Sequence, residues 1–157
     1  MTERSIPRLA ARVLLLDAAD RVLLLQAVDP ARPDEPYWVT PGGGLDPGED
    51  PAAAAARELH EETGLMLAPQ DLGAPVRHEA IEFPFDGTWY RQEQQYFAAR
   101  VDAWTVAPAA LSAVEAATWR GSRWWSAREL EDTGERYYPA DLPEVLQQLL
   151  QRGAVEC

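Results

Sequence analysis

The sequence predicts one domain of the α/β class, in which β-strands and α-helices contribute to a common core. The chain of 157 residues is long enough for one sizeable core and too short for two ordinary domains. Apolar runs typical of strands occur along the chain, and segments with helix cap and stop residues lie between them. We therefore treat residues 1–157 as a single domain.

The N-terminal third predicts a β-hairpin followed by a loop and a short strand. LAARVLLLD and RVLLLQAV are apolar runs separated by a polar turn, which is typical of two paired strands. The segment 29–36 contains three prolines and three acidic residues, so it predicts a loop. YWVT predicts a short strand that runs into PGGG.

The best-marked helix of the chain follows this glycine run. Asp50 supplies an N-cap and Pro51 suits the first helical position. Gly64 supplies a stop after the alanine-rich stretch. The sequence therefore predicts a helix between Asp50 and Gly64.

The remaining chain predicts a second hairpin and three helices. RHEAIEFPF and TWYRQEQQYFAARVDAW read as strands around an Asp-Gly turn. Ser112 and Ser126 each begin a Ser-x-x-Glu capping box, and RWW between them predicts a strand end. ADLPEVLQQLLQRG predicts an amphipathic helix that ends at Gly153.

Composition and charge exclude several classes of partner. A formal net charge of −12 disfavours long nucleic acids, whose binding requires clustered lysine and arginine. No apolar run reaches the ~18 residues of a membrane span, so we expect no membrane partner. The single cysteine, Cys157, is the last residue, and a cytoplasmic location is the expectation. A small phosphorylated substrate remains compatible if a divalent cation stands between it and the acidic protein.

Three glutamates on the predicted helix are candidates for holding that cation. Glu58, Glu61 and Glu62 are three and four residues apart, so their side chains point to one side of a helix. Like charges at this spacing repel, and hard divalent cations prefer carboxylate oxygens. The alternative is a solvated acidic face with ordinary ion pairs, because charge runs usually are solvated.

The neighbouring glycines and arginine fit a cation site. Gly42, Gly43 and Gly44 allow positive φ angles and close approach of the backbone, so a main-chain carbonyl would complete the coordination. Arg57 is well placed to pair with Glu61 or Glu49, but one arginine does not neutralise three carboxylates.

The spacing over residues 43–65 resembles the Nudix box, the signature of the Nudix hydrolases, which are MutT-like pyrophosphohydrolases. All nine fixed positions are occupied, by Gly43, Glu49, Arg57-Glu58-Leu59, Glu61-Glu62 and Gly64-Leu65. The resemblance implies an α/β/α sandwich around a mixed β-sheet. It also implies hydrolysis of the pyrophosphate linkage of a nucleoside diphosphate joined to a further group X.

The same resemblance implies roles for the residues of the box. Glu58, Glu61 and Glu62 would bind magnesium, with manganese as an alternative, and a carbonyl from Gly42 or Gly43 would add a ligand. Arg57 and Glu49 would orient the helix and its carboxylates. Glu58 or Glu61 is our prediction for the general base, so the catalytic set is Glu58, Glu61 and Arg57.

Five residues outside the box are further candidates. Trp38 and Tyr90 would stack on a nucleobase, although core packing is the ordinary role of such rings. Arg91 would contact a phosphate or pair with an acid. Glu93 and Glu115 are candidates for an additional ligand or base. Glu93 equally fits a solvent-facing strand position, whereas the Ser112 capping box is the favoured explanation of Glu115.

The sequence leaves the substrate and the oligomeric state open. The short chain favours a nucleoside triphosphate, and ADP-ribose or another nucleotide sugar is the alternative. A nucleotide-binding protein of the same fold without catalysis is a second hypothesis, against which the intact carboxylates argue. A homodimer is compatible with the apolar first hairpin or with the amphipathic C-terminal helix.

Overall fold

The computed structural model describes residues 5–152, so Gly153 and Cys157 lie outside the described residues. The strands are β1 (Ile6–Leu16), β2 (Val22–Asp29), β3 (Arg32–Val39), β4 (Gly42–Gly44), β5 (Arg77–Phe85), β6 (Thr88–Arg100), β7 (Trp119–Trp125) and β8 (Arg136–Tyr138). The helices are α1 (Pro51–Thr63), α2 (Ala113–Thr118), α3 (Ala127–Asp132) and α4 (Leu142–Arg152), with a 3-10 helix at Pro69–Leu72.

The strands form one mixed sheet that has helices on both faces. Its order is β5-β6-β1-β2-β3-β8, with β4 paired to β1 and β7 paired to β2. β1 runs parallel to β6 and β3 parallel to β8, whereas the other pairs are antiparallel. This confirms the expected α/β/α sandwich around a mixed sheet.

Strand β1 contributes to both cores because its side chains alternate between the two faces of the sheet. Val13 and Leu15 pack in the core beneath α1, which also contains Leu59. Leu14 and Leu16 pack in the opposite core, beside α4. Both faces of β1 are therefore covered from Ala10 onward, whereas its first four residues are exposed.

Most predicted elements are present, with a few corrections. The two hairpins, the capped helices α1, α2 and α3, and the C-terminal helix are confirmed. The loop predicted for 29–36 is wrong, since β3 begins at Arg32. The first residues of β3 are exposed, and a register shift interrupts the pairing of β3 with β2. Prolines are tolerated there because few sheet hydrogen bonds need their missing N–H groups. Strands β4 and β8 were not predicted.

No helix among residues 5–152 is long and apolar enough to cross a membrane.

Helix α1 begins and ends where the sequence predicted. The side chain of Asp50 accepts a hydrogen bond from Ala52 N, and Pro51 is the first helical residue. Gly64 ends the helix in the left-handed conformation, with φ +82°. A Cβ on Gly64 would lie 2.4 Å from the carbonyl oxygen of Ala107. This position therefore excludes other residues both by its φ angle and by a backbone contact from a distant segment.

Replacing Gly64 by alanine should destabilise the protein more than the same change at Gly87. Gly87 also has a positive φ, of +81°, but a Cβ there meets nothing within 4 Å. We expect Gly87→Ala to lower the free energy of unfolding by about 1 kcal/mol, and Gly64→Ala by about 3 kcal/mol. Urea denaturation in EDTA measures both values. Equal losses would show that the contact with Ala107 has no energetic weight.

Candidate active site

Two glutamates on one face of α1 are buried beside the glycine strand β4. Glu58 is 8 % exposed and Glu62 is 6 % exposed. The N–H of Gly42 donates a hydrogen bond of 2.9 Å to Glu62 Oε1. A Cβ on Gly43 would lie 2.9 Å from the carboxylate of Glu58. Gly43 is therefore required for the close approach of β4 to Glu58, and of the three glycines only Gly42 has a positive φ, of +146°.

A third carboxylate, that of Glu115, joins this pair from helix α2. One oxygen each from Glu58, Glu62 and Glu115 lies within 4.8 Å of the other two. The capping box of α2 holds Glu115, because its N–H donates to Ser112 Oγ and its carboxylate accepts from Ser112 N. We call Glu58, Glu62 and Glu115 the carboxylate cluster. Glu115 thus serves in the capping box and in the cluster at once.

Arg57 connects the cluster to the loop before α1. Its guanidinium donates to both carboxylate oxygens of Glu49, at 2.8 and 2.9 Å, and to the carbonyl oxygen of Gly44 at 3.2 Å. It also donates to Glu58 Oε1 at 3.1 Å and Glu61 Oε1 at 3.2 Å. This confirms the pairing of Arg57 with Glu49 and Glu61.

The structure also contains a cavity of about 600 Å³ on the sheet face opposite α1. Its floor is a hydrogen-bonded network in which Gln92 and Arg12 donate to Gln94 Oε1, and Gln94 Nε2 donates to Glu79 and Tyr96. The aromatic side chains that line the cavity are Tyr37, Phe83, Tyr96 and Tyr138. We call this space the sheet cavity.

Arg12 and the segment from Thr40 to Gly42 lie between the sheet cavity and the carboxylate cluster. Arg12 Nη1 donates to the carbonyl oxygen of Thr40 at 2.9 Å, and both residues line the cavity. Gly42, two residues later, donates to Glu62. Thr40 is 1 % exposed, and its hydroxyl has no hydrogen-bond partner among the described residues. A buried, unpaired hydroxyl at this boundary fits a polar ligand group.

A family model described as the NUDIX domain matches residues 6–149, which is most of the chain. The chain belongs to the Nudix family. The resemblance read from residues 43–65 is thereby confirmed, and the carboxylate cluster is built on the helix of the Nudix box.

Curated Nudix relatives match part of the chain. An RNA pyrophosphohydrolase of Erythrobacter litoralis is 39 % identical over 101 residues, which are 59 % of this chain and 60 % of that protein. A putative 8-oxo-dGTP diphosphatase of Bacillus subtilis is 44 % identical over 58 residues, or 37 % of this chain and 36 % of that protein. The chain therefore spans roughly half the length of the curated relatives it matches.

Solved structures with the Nudix fold match nearly the whole chain. The dihydroneopterin triphosphate pyrophosphohydrolase of E. coli is 17 % identical with a TM-score of 0.64, covering 94 % of this chain and 99 % of that one. The MutT protein of Methanosarcina mazei is 18 % identical with a TM-score of 0.61, covering 95 % and 96 %. At these identities the matches show the fold alone.

Burial of the Nudix glutamates disfavours their charged forms. Burial raises the pKa of Glu58 to about 6, and the negative charge of Glu115 adds to this effect. Burial also raises the pKa of Glu62 well above its ordinary value, and a hydrogen bond with Glu115 contributes. A divalent cation would offset this electrostatic cost. The donor set consists of hard carboxylate oxygens, which fit a hard divalent cation.

Glu61, the remaining glutamate of the Nudix box triplet, is not in the carboxylate cluster. Its carboxylate accepts from Arg57, and its side chain is 30 % exposed. The structure therefore brings two of the three predicted carboxylate ligands together, and Glu115, a predicted candidate from outside the box, is the third member of the cluster. A role for Glu61 or for the carbonyl of Gly43 in metal binding stays a prediction.

The predicted substrate residues lie in different places. Trp38 packs in the core, with its ring centroid 5.2 Å from that of Trp125 and its indole N–H bonded to Glu135. This packing argues against the predicted base-stacking role of Trp38. Its neighbour Tyr37 lines the sheet cavity instead.

The other candidates outside the Nudix box lie on β6. Tyr90 is half-buried and stacks on Phe83 at 5.7 Å, with the guanidinium of Arg8 5.4 Å from its ring centroid. Arg91 and Glu93 are exposed on the same strand. Their predicted roles stay predictions.

Sequence reasoning missed two arginines of β1. Arg8 Nη2 lies 3.0 Å from where a Cβ on Gly44 would be, and Arg12 borders the sheet cavity. The available signal was their spacing, since residues four apart on a strand share a face. Two arginines on one face of a largely apolar strand, in a chain of net charge −12, are the pattern that the sequence analysis did not use.

Replacing Glu58 by glutamine should stabilise the metal-free protein at neutral pH. Because the folded-state pKa of about 6 exceeds the ordinary value of 4.5, the carboxyl contributes stability below pH 4.5 that is lost as the pH rises through 6. We expect Glu58→Gln and the wild type to melt together near pH 4.5 in EDTA. At pH 7.5 the variant should melt roughly 5 °C higher.

Glu129 supplies a control of opposite sign. The N–H of Ser126 lowers the pKa of Glu129, so its carboxylate contributes stability that is lost as the pH falls. The melting temperature of Glu129→Gln should therefore fall below that of the wild type as the pH rises. A Glu58→Gln variant that melts below the wild type at pH 7.5 would contradict the proposed cost of the buried charge.

Proposed function

We propose that this Nudix protein hydrolyses the pyrophosphate linkage of a nucleotide in a reaction that depends on magnesium. The observation that carries the proposal is the carboxylate cluster, in which oxygens of Glu58, Glu62 and Glu115 lie within 4.8 Å of one another. Two of these side chains are buried, so their mutual repulsion is costly unless a cation is present. The names of the curated relatives, which include RNA pyrophosphohydrolase, support cleavage at such a linkage.

The chain supplies defined parts of this chemistry. The carboxylate cluster would hold the cation, and Arg57 keeps Glu58 and Glu61 in place through its hydrogen bonds. A divalent cation bound there supplies Lewis-acid chemistry, in that it offsets charge on the diphosphate and lowers the pKa of water. Glu58 remains our candidate for the general base, because its carboxylate lies in the cluster that would hold the cation and its water. Glu61 is the alternative base.

The sheet cavity is the proposed site of the nucleoside. Its volume of about 600 Å³ lies within the range typical of small-molecule sites. Tyr37, Phe83 and Tyr138 offer ring surfaces, while Gln92 and Thr40 offer polar groups at the floor and at the boundary with the cluster. Arg12 is positioned between this cavity and the cluster, where it would contact the phosphates.

A nucleoside triphosphate is the proposed substrate class. ADP-ribose and other nucleotide sugars remain the alternative, since neither the cavity nor the sequence holds a feature that selects among them. An RNA that carries a 5′-triphosphate is a second candidate because of the relatives' names, although the net charge of −12 opposes binding of a long backbone. A homodimer and a cytoplasmic location stay predictions.

Removing one carboxylate of the cluster should weaken hydrolysis and magnesium-dependent stabilisation together. The wild type is incubated with magnesium and nucleoside triphosphates, ADP-ribose, a nucleotide sugar and a short 5′-triphosphate RNA, and the products are separated by chromatography. A triphosphate releases phosphate or pyrophosphate, whereas ADP-ribose or a nucleotide sugar yields a nucleoside monophosphate and a sugar phosphate. We expect Glu62→Gln to lower kcat/KM at least about 100-fold. Magnesium at about 100 times its Kd should stabilise the wild type by roughly 2.7 kcal/mol, and the variant by much less.

Glu131→Gln is the matched control, because it removes an exposed carboxylate on α3 and should change neither measurement. Nucleotide binding without turnover by the wild type would overturn the hydrolase proposal in favour of a nucleotide-binding role. A melting curve that magnesium leaves unchanged would count against the metal site.

Replacing Gln92 by leucine should weaken nucleotide binding with little effect on turnover. Gln92 is 1 % exposed at the cavity floor, and loss of one hydrogen bond to the nucleoside should raise KM about tenfold. Inhibition by tripolyphosphate, which has no nucleoside, should stay unchanged. Gln95→Leu on the opposite face of β6 is the control. Equal weakening of nucleotide and tripolyphosphate binding in Gln92→Leu would contradict a nucleoside site in the sheet cavity.

A further inference from the structure

The C-terminal end of α1 is bound by a distant part of the chain. The last carbonyl oxygens of a helix have no partner within the helix and need one from outside. Here Thr63 O accepts from Ala107 N at 2.9 Å and from the indole Nε1 of Trp104 at 2.9 Å. Glu61 O accepts from Ala109 N and Ala110 N, both at 3.0 Å. We call residues 104–110 the docking segment.

The docking segment leads directly to the third carboxylate of the cluster. Only Leu111 separates Ala110 from Ser112, the N-cap of α2. The capping box then connects Ser112 to Glu115 by two hydrogen bonds, of 2.9 and 3.1 Å. An almost continuous series of hydrogen-bonded residues therefore extends from the end of α1 to Glu115.

Trp104 is the residue that joins this segment to both the helix and the core. Its ring packs against the core beneath α1, its indole N–H bonds Thr63 O, and its own carbonyl accepts from Trp124 Nε1 at 3.2 Å. The absence of a side chain on Gly64 lets the carbonyl oxygen of Ala107 come close to the helix end. The contact between segment and helix is therefore tight.

We propose that Trp104 is a positioning residue that places Glu115 in the carboxylate cluster. Its indole N–H holds the docking segment on the end of α1, and the segment fixes the α2 N-terminus from which Glu115 reaches Glu58 and Glu62. This inference rests on the proposed function, since it assigns the cluster to a divalent cation. Trp104 touches neither the cation nor the substrate in this role.

Binding of Mn²⁺ alone, followed by electron paramagnetic resonance, tests the inference without nucleotide. The proteins are the wild type, Trp104→Phe, Glu115→Gln and the double variant. We expect Trp104→Phe and Glu115→Gln each to weaken Mn²⁺ binding about tenfold. The double variant should bind as Glu115→Gln does, because Trp104 acts through Glu115. Trp89→Phe changes an exposed tryptophan on the second hairpin and should bind as the wild type does.

Two results would overturn the inference. One is Mn²⁺ binding by Trp104→Phe that equals the wild type. The other is an additive loss in the double variant, which would mean that Trp104 acts on the site independently of Glu115. Melting curves in EDTA check that each variant is folded. If Trp104→Phe is unfolded, the benzothienyl analogue of tryptophan replaces only the N–H by sulfur, and the same comparison is made with it.

The same measurements separate this inference from the proposed function. A wild type that binds Mn²⁺ but cleaves no nucleotide would overturn the hydrolase proposal, while the comparison of variants would still decide the role of Trp104. A wild type that cleaves nucleotides, with Trp104→Phe unchanged in Mn²⁺ binding, would overturn only the positioning role.

Discussion

The crowding of carboxylates at one side of α1 is the constraint on which the rest of the site depends. Glu58 and Glu62 are buried, and Glu115 is brought against them from another helix. Buried like charges are unfavourable unless hydrogen bonds and an opposite charge compensate them. The backbone N–H of Gly42 and the guanidinium of Arg57 supply part of that compensation. The negative charge that these groups leave uncompensated is suited to a divalent cation.

In the proposed active site, the sheet lies between the carboxylate cluster, which would hold the cation, and the sheet cavity, which would hold the nucleoside. Helix α1 covers one face and holds the cluster, whereas the sheet cavity opens on the other. Strand β1 pairs with the glycine strand, and it places Arg8 beside Gly44 and Arg12 in the lining of the cavity. A bound nucleotide would therefore extend across the glycine strand, with its nucleoside on the side of the cavity and its phosphates on the side of the carboxylate cluster. Glycine permits this arrangement because it lets the backbone and the carboxylates come close.

The local sequence predicted those features of the structure that depend on residues close together along the chain. The limits of α1, the pairing of Arg57 with Glu49 and the capping box of Ser112 follow from residues within one or two helical turns. Contacts between distant segments were beyond such reasoning. Glu61 and Glu62 are adjacent and chemically identical, and only packing against β4 and α2 buries one and leaves the other beside Arg57.

The sequence by itself determined the family, the fold class and the helix that carries the acidic residues, because a fixed spacing of glycine, arginine and glutamate encodes them. Tertiary structure decided which carboxylates meet, since Glu115 arrives through the contact of Trp104 with Thr63. It also decided that Tyr37 faces the cavity while Trp38 enters the core. Burial and long-range contact are properties of the folded chain, and no local pattern specifies them.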